Sequence, residues 1–549
     1  MANPYYDMSK AKIEQSRSLF RIPHNYKTTL NAGDLIPVCQ PIEVVPGDTF
    51  KIDISAVCRE LTLLNPVMDN SYLEINAFYV PMHTIWDNTK QFFGENETGI
   101  WDNMIEREMP SEFFNMTTGD NTFVECSIGD YFGIFSKADS DLNTFNTLPL
   151  RAYAAIYNYW YLNEATQAPI LFSKADNNTF GEKLQSGYAS KPLKVNRYAD
   201  LFTSCLPAPQ KGQAVSFLPA YIPVIPNDDI DSTTSLTPAD IATGDPMRFM
   251  LASGTGSPTG SYLIGVSSGG LKSSQTSGSF GSDLAPSNLY ASTAATSLHN
   301  INEFRIAAAT QQYLERLAQF GSRYEESIYA LFGVKTPFSA IQVPQYLGGY
   351  KHLLNVDQVL ATSEGAEFTL GSTGAYSHSA FNKKSICTFS SFDYGYIIIL
   401  SHIRTDNTYS QGVPKLFSKK TKYEVYNPLF ANIGNVPVKN KEIFITDTEK
   451  DDEVFGYQEA WYEYKFMPNL LTGYMRPQVS GSFNTWTYGR VFEDTPVLNE
   501  DFTLQTEKEV DRTIAVQSDI TNQFKLDIFF NIVASRVMPV RSVPGLKRI

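Results

Sequence analysis

A mainly β fold, organised as a β-sandwich with long helix-containing insertions, is predicted by three observations. Period-two strands stand near both ends of the chain, two helical segments interrupt the β pattern, and a charge-poor Gly/Ser/Thr tract lies between those helices. In Thr49 to Cys58, apolar Phe50, Ile52, Ile54, Ala56 and Cys58 alternate with Lys51, Asp53 and Ser55, which sends one face to a core and the other outward. The same alternation recurs in Leu73, Ile75, Ala77 and Tyr79, and again in Phe524, Leu526, Ile528, Phe530 and Ile532. A further strand is expected across Gly395 to Ile403. Turn chemistry separates these runs, with Pro46-Gly47-Asp48 before the second strand and Asn65-Pro66 with Asp69-Asn70 before the third.

The helical segments follow from 3.6-residue spacing. Leu150, Tyr153, Tyr157, Trp160 and Tyr161 recur three or four residues apart after Pro149, which a first helical turn tolerates. The second stretch runs from Asn300 to about Leu331. Asn300 and Glu303 give it a capping-box-like start, Tyr313, Leu314, Leu317 and Phe320 form its stripe, and Gly321 is expected to divide it in two. Residues 251–300 carry only Lys272 and Asp283 as charges and show no usable periodicity, so no core can be built from them. The tract reads as a surface excursion from residue 212 to 299, in which Tyr262, Leu263, Ile264 and Val266 can form a short strand. No internal repeat is visible, which disfavours propellers and solenoids.

At 549 residues the chain exceeds the size at which one core stops growing, so one elaborated domain or two are expected. Aromatic residues reach 13% and charged residues only 19%, the balance of a chain with large surfaces to hide, inside itself or against partners. No apolar run approaches a membrane span, and the start shows no secretory pattern, so a soluble chain without membrane insertion is expected. Cys39, Cys58, Cys126, Cys205 and Cys387 lie far apart and odd in number, which reads as reduced, mostly buried thiols. Formal net charge is −14, yet both ends are basic: Lys10, Lys12, Arg17, Arg21 and Lys27 at one, Arg536, Arg541, Lys547 and Arg548 at the other. Basic ends on an acidic body suit a chain whose ends meet a polyanion, and read equally as solvated tails with incidental charge.

Catalytic patterns are missing. There is no nucleophile elbow, phosphate loop or paired-histidine zinc motif, and no cofactor or metal is predicted. Cys205 beside Leu206-Pro207 reads as a small buried residue rather than a nucleophile. Paired carboxylates need only proximity in space, so a polysaccharide-binding or polysaccharide-degrading β-sandwich stays open as the alternative function.

Several segments carry a family resemblance. Tyr26-Lys27-Thr28-Thr29 leads through Ala32-Gly33 to Val45-Pro46-Gly47-Asp48-Thr49-Phe50. Pro66-Val67-Met68-Asp69-Asn70 follows, then Leu148-Pro149-Leu150-Arg151-Ala152-Tyr153 with Asn158 and Trp160. Next come Phe202-Thr203-Ser204-Cys205-Leu206-Pro207 with Pro209-Gln210-Lys211-Gly212, Arg323-Tyr324, Phe332-Gly333-Val334 and Pro344-Gln345-Tyr346-Leu347-Gly348-Gly349. Thr408 to Gly412, Phe455-Gly456-Tyr457-Gln458-Glu459 and Pro544-Gly545-Leu546 complete the series. In that order these resemble the major capsid proteins of microviruses, of the gokushovirus type.

The resemblance implies a single eight-stranded antiparallel jelly roll. It divides the chain into a basic arm (1–27), a first part of the jelly roll with its inserted helix (28–211), the surface insertion (212–299), and helices with the remaining strands and a basic tail (300–549). It further implies a T=1 icosahedral shell around a circular single-stranded DNA, made in the bacterial host cytoplasm. The implied partners are other copies of the chain, the genome, a small basic DNA-binding virion protein, a minor capsid or pilot protein, and a host receptor. Arg541, Lys547 and Arg548 are the expected DNA-facing residues; Thr255, Ser257, Thr259 and Tyr262 are the expected host-recognition residues. Where the family often has His before the Gly-Tyr strand, this chain has Asp393-Tyr394-Gly395-Tyr396. Pro46-Gly47 and Gly348-Gly349 are expected to supply turns.

Overall fold

A computed structural model describes residues 16–95, 106–114, 124–135, 144–213, 215, 224–226, 249–251, 262–267, 270–275, 282–286, 289–291, 301–321, 323–337, 342–360 and 373–541. The chain forms two compact units, one comprising 1–209 with 320–549 and the other 210–319.

Two antiparallel sheets dominate the first unit. Strands β1 (Ser18–Leu30), β2 (Asp34–Pro37), β3 (Ile42–Val44), β4 (Thr49–Glu60) and β5 (Ser71–Pro81) come first. They are followed by β6 (Leu193–Lys194), β7 (Gln345–Leu353), β8 (Ser379–Ser390), β9 (Gly395–Thr405) and β10 (Phe524–Arg536). One sheet has the order β1-β10-β4-β8, so the last strand lies between two of the first. The other has the order β7-β5-β9-β2-β6, with β3 pairing β9 beyond the end of β2. The two sheets thus hold ten strands rather than eight, the additions including the very short β3 and β6.

The alternation read from the sequence sets which side of each strand is hidden. Phe50, Ile52 and Ile54 of β4, Ile528, Phe530 and Ile532 of β10, Leu73 and Ile75 of β5, and Ile397 and Ile399 of β9 meet in one core. Each contributes about 1.5–3 kcal/mol by leaving water. β9 departs from simple alternation because both of its sides are covered. Tyr396, Ile398 and Leu400 point away from that core into a second one, built with helix α1 (Leu148–Ile156) and its continuation Tyr157–Tyr161, a wider π turn. A strand buried on both faces reads as an unbroken apolar run.

Gly47 adopts φ +87° in the tight turn that Pro46 opens, as the sequence suggests. Gly348 and Gly349 do otherwise. They lie within β7 at a bulge against β5, not in a turn. Gly348 has φ +145°, and a Cβ there would sit 2.2 Å from the Ile386 carbonyl oxygen; one on Gly349 would sit 2.1 Å from the Asn76 side chain. These glycines permit close approach of neighbouring chain segments.

Helices α2 (Ile301–Phe320) and α3 (Tyr324–Phe332) are separated at Gly321, which has φ +91°. Asn300 lies outside the described residues. In the second unit, Tyr262–Ser267 pairs with Gly270–Gln275, and that strand with Ser282–Pro286. All five cysteines are unpaired, four of them buried and Cys126 half-buried.

Candidate functional site

The motif segments singled out in the sequence converge in the first unit. Arg323 places its guanidinium at the end of the first helix, donating to the carbonyls of Asn158 at 2.9 Å and Tyr159 at 2.5 Å, and pairing with Glu164 at 2.6 Å. These are the orphan carbonyls that a helix C-terminus exposes, so a planar cation with several donors satisfies them. Trp160 donates its indole N–H to the Pro344 carbonyl at 2.9 Å and its ring meets Tyr346.

A third core joins three more motifs. Leu201, Phe202 and Cys205 pack with Tyr409, Phe455 and Tyr462. Leu206 and Tyr457 exchange two backbone hydrogen bonds at 2.8 and 2.7 Å. Gly456 is required there, because a Cβ would come 2.9 Å from the Cys205 Cβ and 3.2 Å from the Leu206 oxygen. Tyr409 donates to Asp200 at 2.6 Å. Cys205 is buried and its thiol donates to the Leu201 carbonyl, while burial pushes its pKa up, so it is a packed side chain without nucleophilic character.

One cluster of ionisable groups is largely buried. Glu74 takes a hydrogen bond from Arg404 at 2.7 Å, another from Tyr198, and lies 3.2 Å from the His402 ring. Burial alone would raise the Glu74 carboxyl, but His402, Arg404 and Tyr198 together hold it below the ordinary carboxylate range. Burial, with the Arg404 charge nearby, lowers His402. His402 has no solvent exposure, so this acid and base cannot meet a substrate. Among the described residues no group of three or more His, Cys, Asp or Glu side chains is placed to hold a metal ion, and no helix is long and apolar enough to cross a membrane.

What the unit does present is surface. Residues 415–430 form an arm held against Trp461: Tyr426 lies 5.5 Å from the Trp461 ring, and Trp461 donates to the Phe430 carbonyl at 2.9 Å. Its tips point to solvent, with Phe417 77% and Leu429 88% exposed, and Met467, three positions after Tyr464, is 90% exposed. Phe392, in the turn between β8 and β9, is 95% exposed.

The outer face of the β1-β10-β4-β8 sheet is a different surface. The residues alternating with the core set place Arg21, Lys27, Lys51, Arg59 and Lys525 on it, against Asp53 and Asp527 as acids. A chain of net charge −14 thus carries a locally basic sheet face. Asp53 is occupied by the Asn531 amide at 3.2 Å and the Ser385 backbone N–H at 2.7 Å, and Asp527 stands 3.7 Å from Lys27. The sequence shows these cations, but spread over three strands far apart in the chain, and only the pairing gathers them.

Of the residues expected to face DNA, Arg541 is exposed five positions beyond the end of β10, and Lys547 and Arg548 lie outside the described residues. Of those expected to meet a host, Tyr262 opens the strand Tyr262–Ser267, while Thr255, Ser257 and Thr259 lie outside the described residues. Asp393, standing where the family often has His, meets His83 at 2.7 Å, so the loop holds an Asp–His contact.

The model of a protein family described as capsid protein (F protein) matches residues 9–546. The chain belongs to this phage capsid protein family. It is 33% identical to capsid protein VP1 of Spiroplasma virus 4, over 97% of this chain and 96% of that protein. It is 34% identical to capsid protein VP1 of Chlamydia phage 1, over 100% and 98%, and 30% identical to that of Bdellovibrio phage phiMH2K, over 97% and 96%. The microvirus resemblance is therefore correct along the whole chain, and the polysaccharide reading has no support.

Proposed function

We propose that this capsid protein builds a closed icosahedral shell with one subunit per asymmetric unit, in which the two sheets are a jelly roll enlarged by added strands. Consecutive strands β4 and β5, β8 and β9, and β9 and β10 each pass from one sheet to the other, the connectivity a jelly roll requires. The observation that carries the assembly reading is the exposed arm, whose apolar tips are costly to leave in water and favourable to bury against another copy.

The basic outer sheet face is the genome-facing surface in this reading, joined by Arg541, Lys547 and Arg548. Its cations neutralise phosphates of a circular single-stranded DNA without reading sequence. Because the chain as a whole is acidic, a small basic virion protein supplies the rest of the neutralisation, and a minor capsid or pilot protein completes the particle. Assembly takes place in the bacterial host cytoplasm. The Gly/Ser/Thr-rich insertion, with Thr255, Ser257, Thr259 and Tyr262, meets the host receptor through hydrogen bonds and aromatic contact rather than charge.

Electron microscopy of the purified chain, alone and with its phage partners, tests the assembly reading. Rings or shells of uniform diameter are the expected result. A chain that stays monomeric at high concentration in every mixture overturns it.

A further inference from the structure

The sheet face proposed to meet the genome carries more than charge. Phe529 of β10 stands at its centre, pointing away from the core and 44% exposed. Across the strands its row reads Asn25, Phe529, Ser55, Asn382, so the ring is flanked by a hydroxyl and two amides. Asn25, Ser55, Asn382 and Phe529 together line a shallow depression in the face, along with Val57, Ala380 and Asp527, whose carboxylate stands 3.7 Å from Lys27. The Phe529 ring has no aromatic partner among the described residues.

Each pair of residues along a strand advances ~7 Å. Lys27 therefore lies one step from the Phe529 row, Lys525 and Arg59 two steps on the same side, and Lys51 and Arg21 two steps on the other. The two acids of the face stand one step from the row, Asp527 beside Lys27 and Asp53 taking hydrogen bonds from Asn531 and Ser385, so the flat ring with polar edges sits between two engaged acids with cations beyond them on either side. A phosphate-only surface has no use for an exposed ring or for unpaired amides, whereas a single strand needs somewhere to put its bases. Charge complementarity selects a polyanion, and the ring selects one whose flat groups are free to stack. Bases inside a duplex offer no free face to a ring on a flat sheet.

We infer that Phe529, with Asn25, Ser55 and Asn382, is a seat for an unpaired nucleobase of a single-stranded polynucleotide, its flanking phosphates held by Lys27, Lys525, Arg59 and Lys51. The base stacks on the ring, and the amides pair with whichever edge it presents, since an amide both donates and accepts. Binding is therefore sequence-tolerant. The inference rests on the genome-facing reading of this sheet.

The test uses the full chain with three fluorescent oligonucleotides: a dT strand, an abasic strand with the same number of phosphates, and a duplex. Base stacking on an aromatic side chain is worth about fivefold to a hundredfold in affinity. The dT strand should bind about tenfold or more tightly than the abasic one. Phe529→Ala should bring dT down to the abasic level while leaving the abasic strand unchanged, and Phe529→Trp should keep the preference. Since the side chain points outward, the thermal midpoint of the alanine variant should match that of the parent. Equal loss for both strands in Phe529→Ala, or no loss for dT, overturns the base seat. If Lys51→Glu with Lys525→Glu weakens all three strands, the genome-facing reading stands whatever Phe529→Ala does. If that double variant leaves all three unchanged, the genome-facing reading falls, and the seat with it.

Discussion

Arg323 and Asn158, 165 residues apart in the chain, are joined by a hydrogen bond of 2.9 Å from the guanidinium to the backbone carbonyl. The same side chain serves Tyr159 and Glu164, so one residue after the insertion closes the end of the helix before it. Charge-assisted hydrogen bonds are worth about 1.5–3 kcal/mol, and an orphaned carbonyl adds to the loss. Arg323→Ala should therefore lower unfolding stability by roughly 2–4 kcal/mol in urea titration of the unassembled chain. Arg323→Lys should recover less than half of that, because an ammonium lacks the planar fork. Full recovery by lysine would show that only the charge matters.

Three glycines separate backbone strain from steric exclusion. Gly473 has φ +63° with open space around it, so Gly473→Ala should cost only about 1–2 kcal/mol, the left-handed penalty. Gly348→Ala combines φ +145° with a Cβ 2.2 Å from a backbone oxygen, and should leave little native protein in the soluble fraction. Gly456→Ala meets side-chain and backbone atoms at 2.9–3.2 Å and should fall between them, at about 1–3 kcal/mol. Comparable denaturation midpoints for the three variants would contradict this order.

The strands were legible because alternation reports directly on which side is wet. Phe50 to Cys58 and Phe524 to Ile532 kept their pattern since the outer face of their sheet is open, and Tyr396 to Leu400 lost it since helix α1 covers the other side of β9. Gly348 and Gly349 read as a turn in the sequence because the reason for them lies in Ile386 and Asn76, far away in the chain. The basic sheet face stayed hidden for a similar cause. Lys51, Arg59 and Lys525 look like ordinary outward positions until strand order puts Arg59 opposite Lys525, whereas the terminal cations already stand together in the sequence. The aromatic arm carried no periodic signal at all. Its short turns give neither a helical stripe nor alternation, and composition alone hinted at hidden surface.

Glu60 gives the subunit a pH dependence of unusual sign. Burial pushes its carboxyl up to about 8, with Tyr488 hydrogen-bonded to it at 3.2 Å opposing the rise. In the unfolded chain the group titrates near ~4.3, so between those values the folded state holds the extra proton. Its stabilising share is present below about pH 4 and is lost as pH rises toward 8, by at most roughly 5 kcal/mol. Other groups oppose it, among them His402, whose depressed pKa favours folding at higher pH. The comparison that isolates Glu60 is parent against Glu60→Gln. The glutamine variant should gain relative stability steadily from pH 5 to pH 8 in thermal melts of unassembled subunits, and a constant difference across that range would refute the assignment.

The exposed arm makes the sharpest division between folding and assembly. Leu416, Phe417 and Leu429 contribute little to their own subunit, being 67%, 77% and 88% exposed, so replacing them with Ser should change unfolding stability by less than about 0.5 kcal/mol each. Buried against a neighbour, each aromatic or aliphatic anchor is worth about 2 kcal/mol or more, and a closed shell repeats the loss at every equivalent contact. Phe417→Ser with Leu429→Ser should therefore yield folded subunits that sediment as small species and give few or no particles by electron microscopy. The ring contacts of Tyr426 with Trp461 and Tyr464 stay in place in that variant, so the arm keeps its shape and only its tips change. Particles at parental yield would mean that the arm faces solvent in the shell, and the search for the subunit contact would move to Phe392.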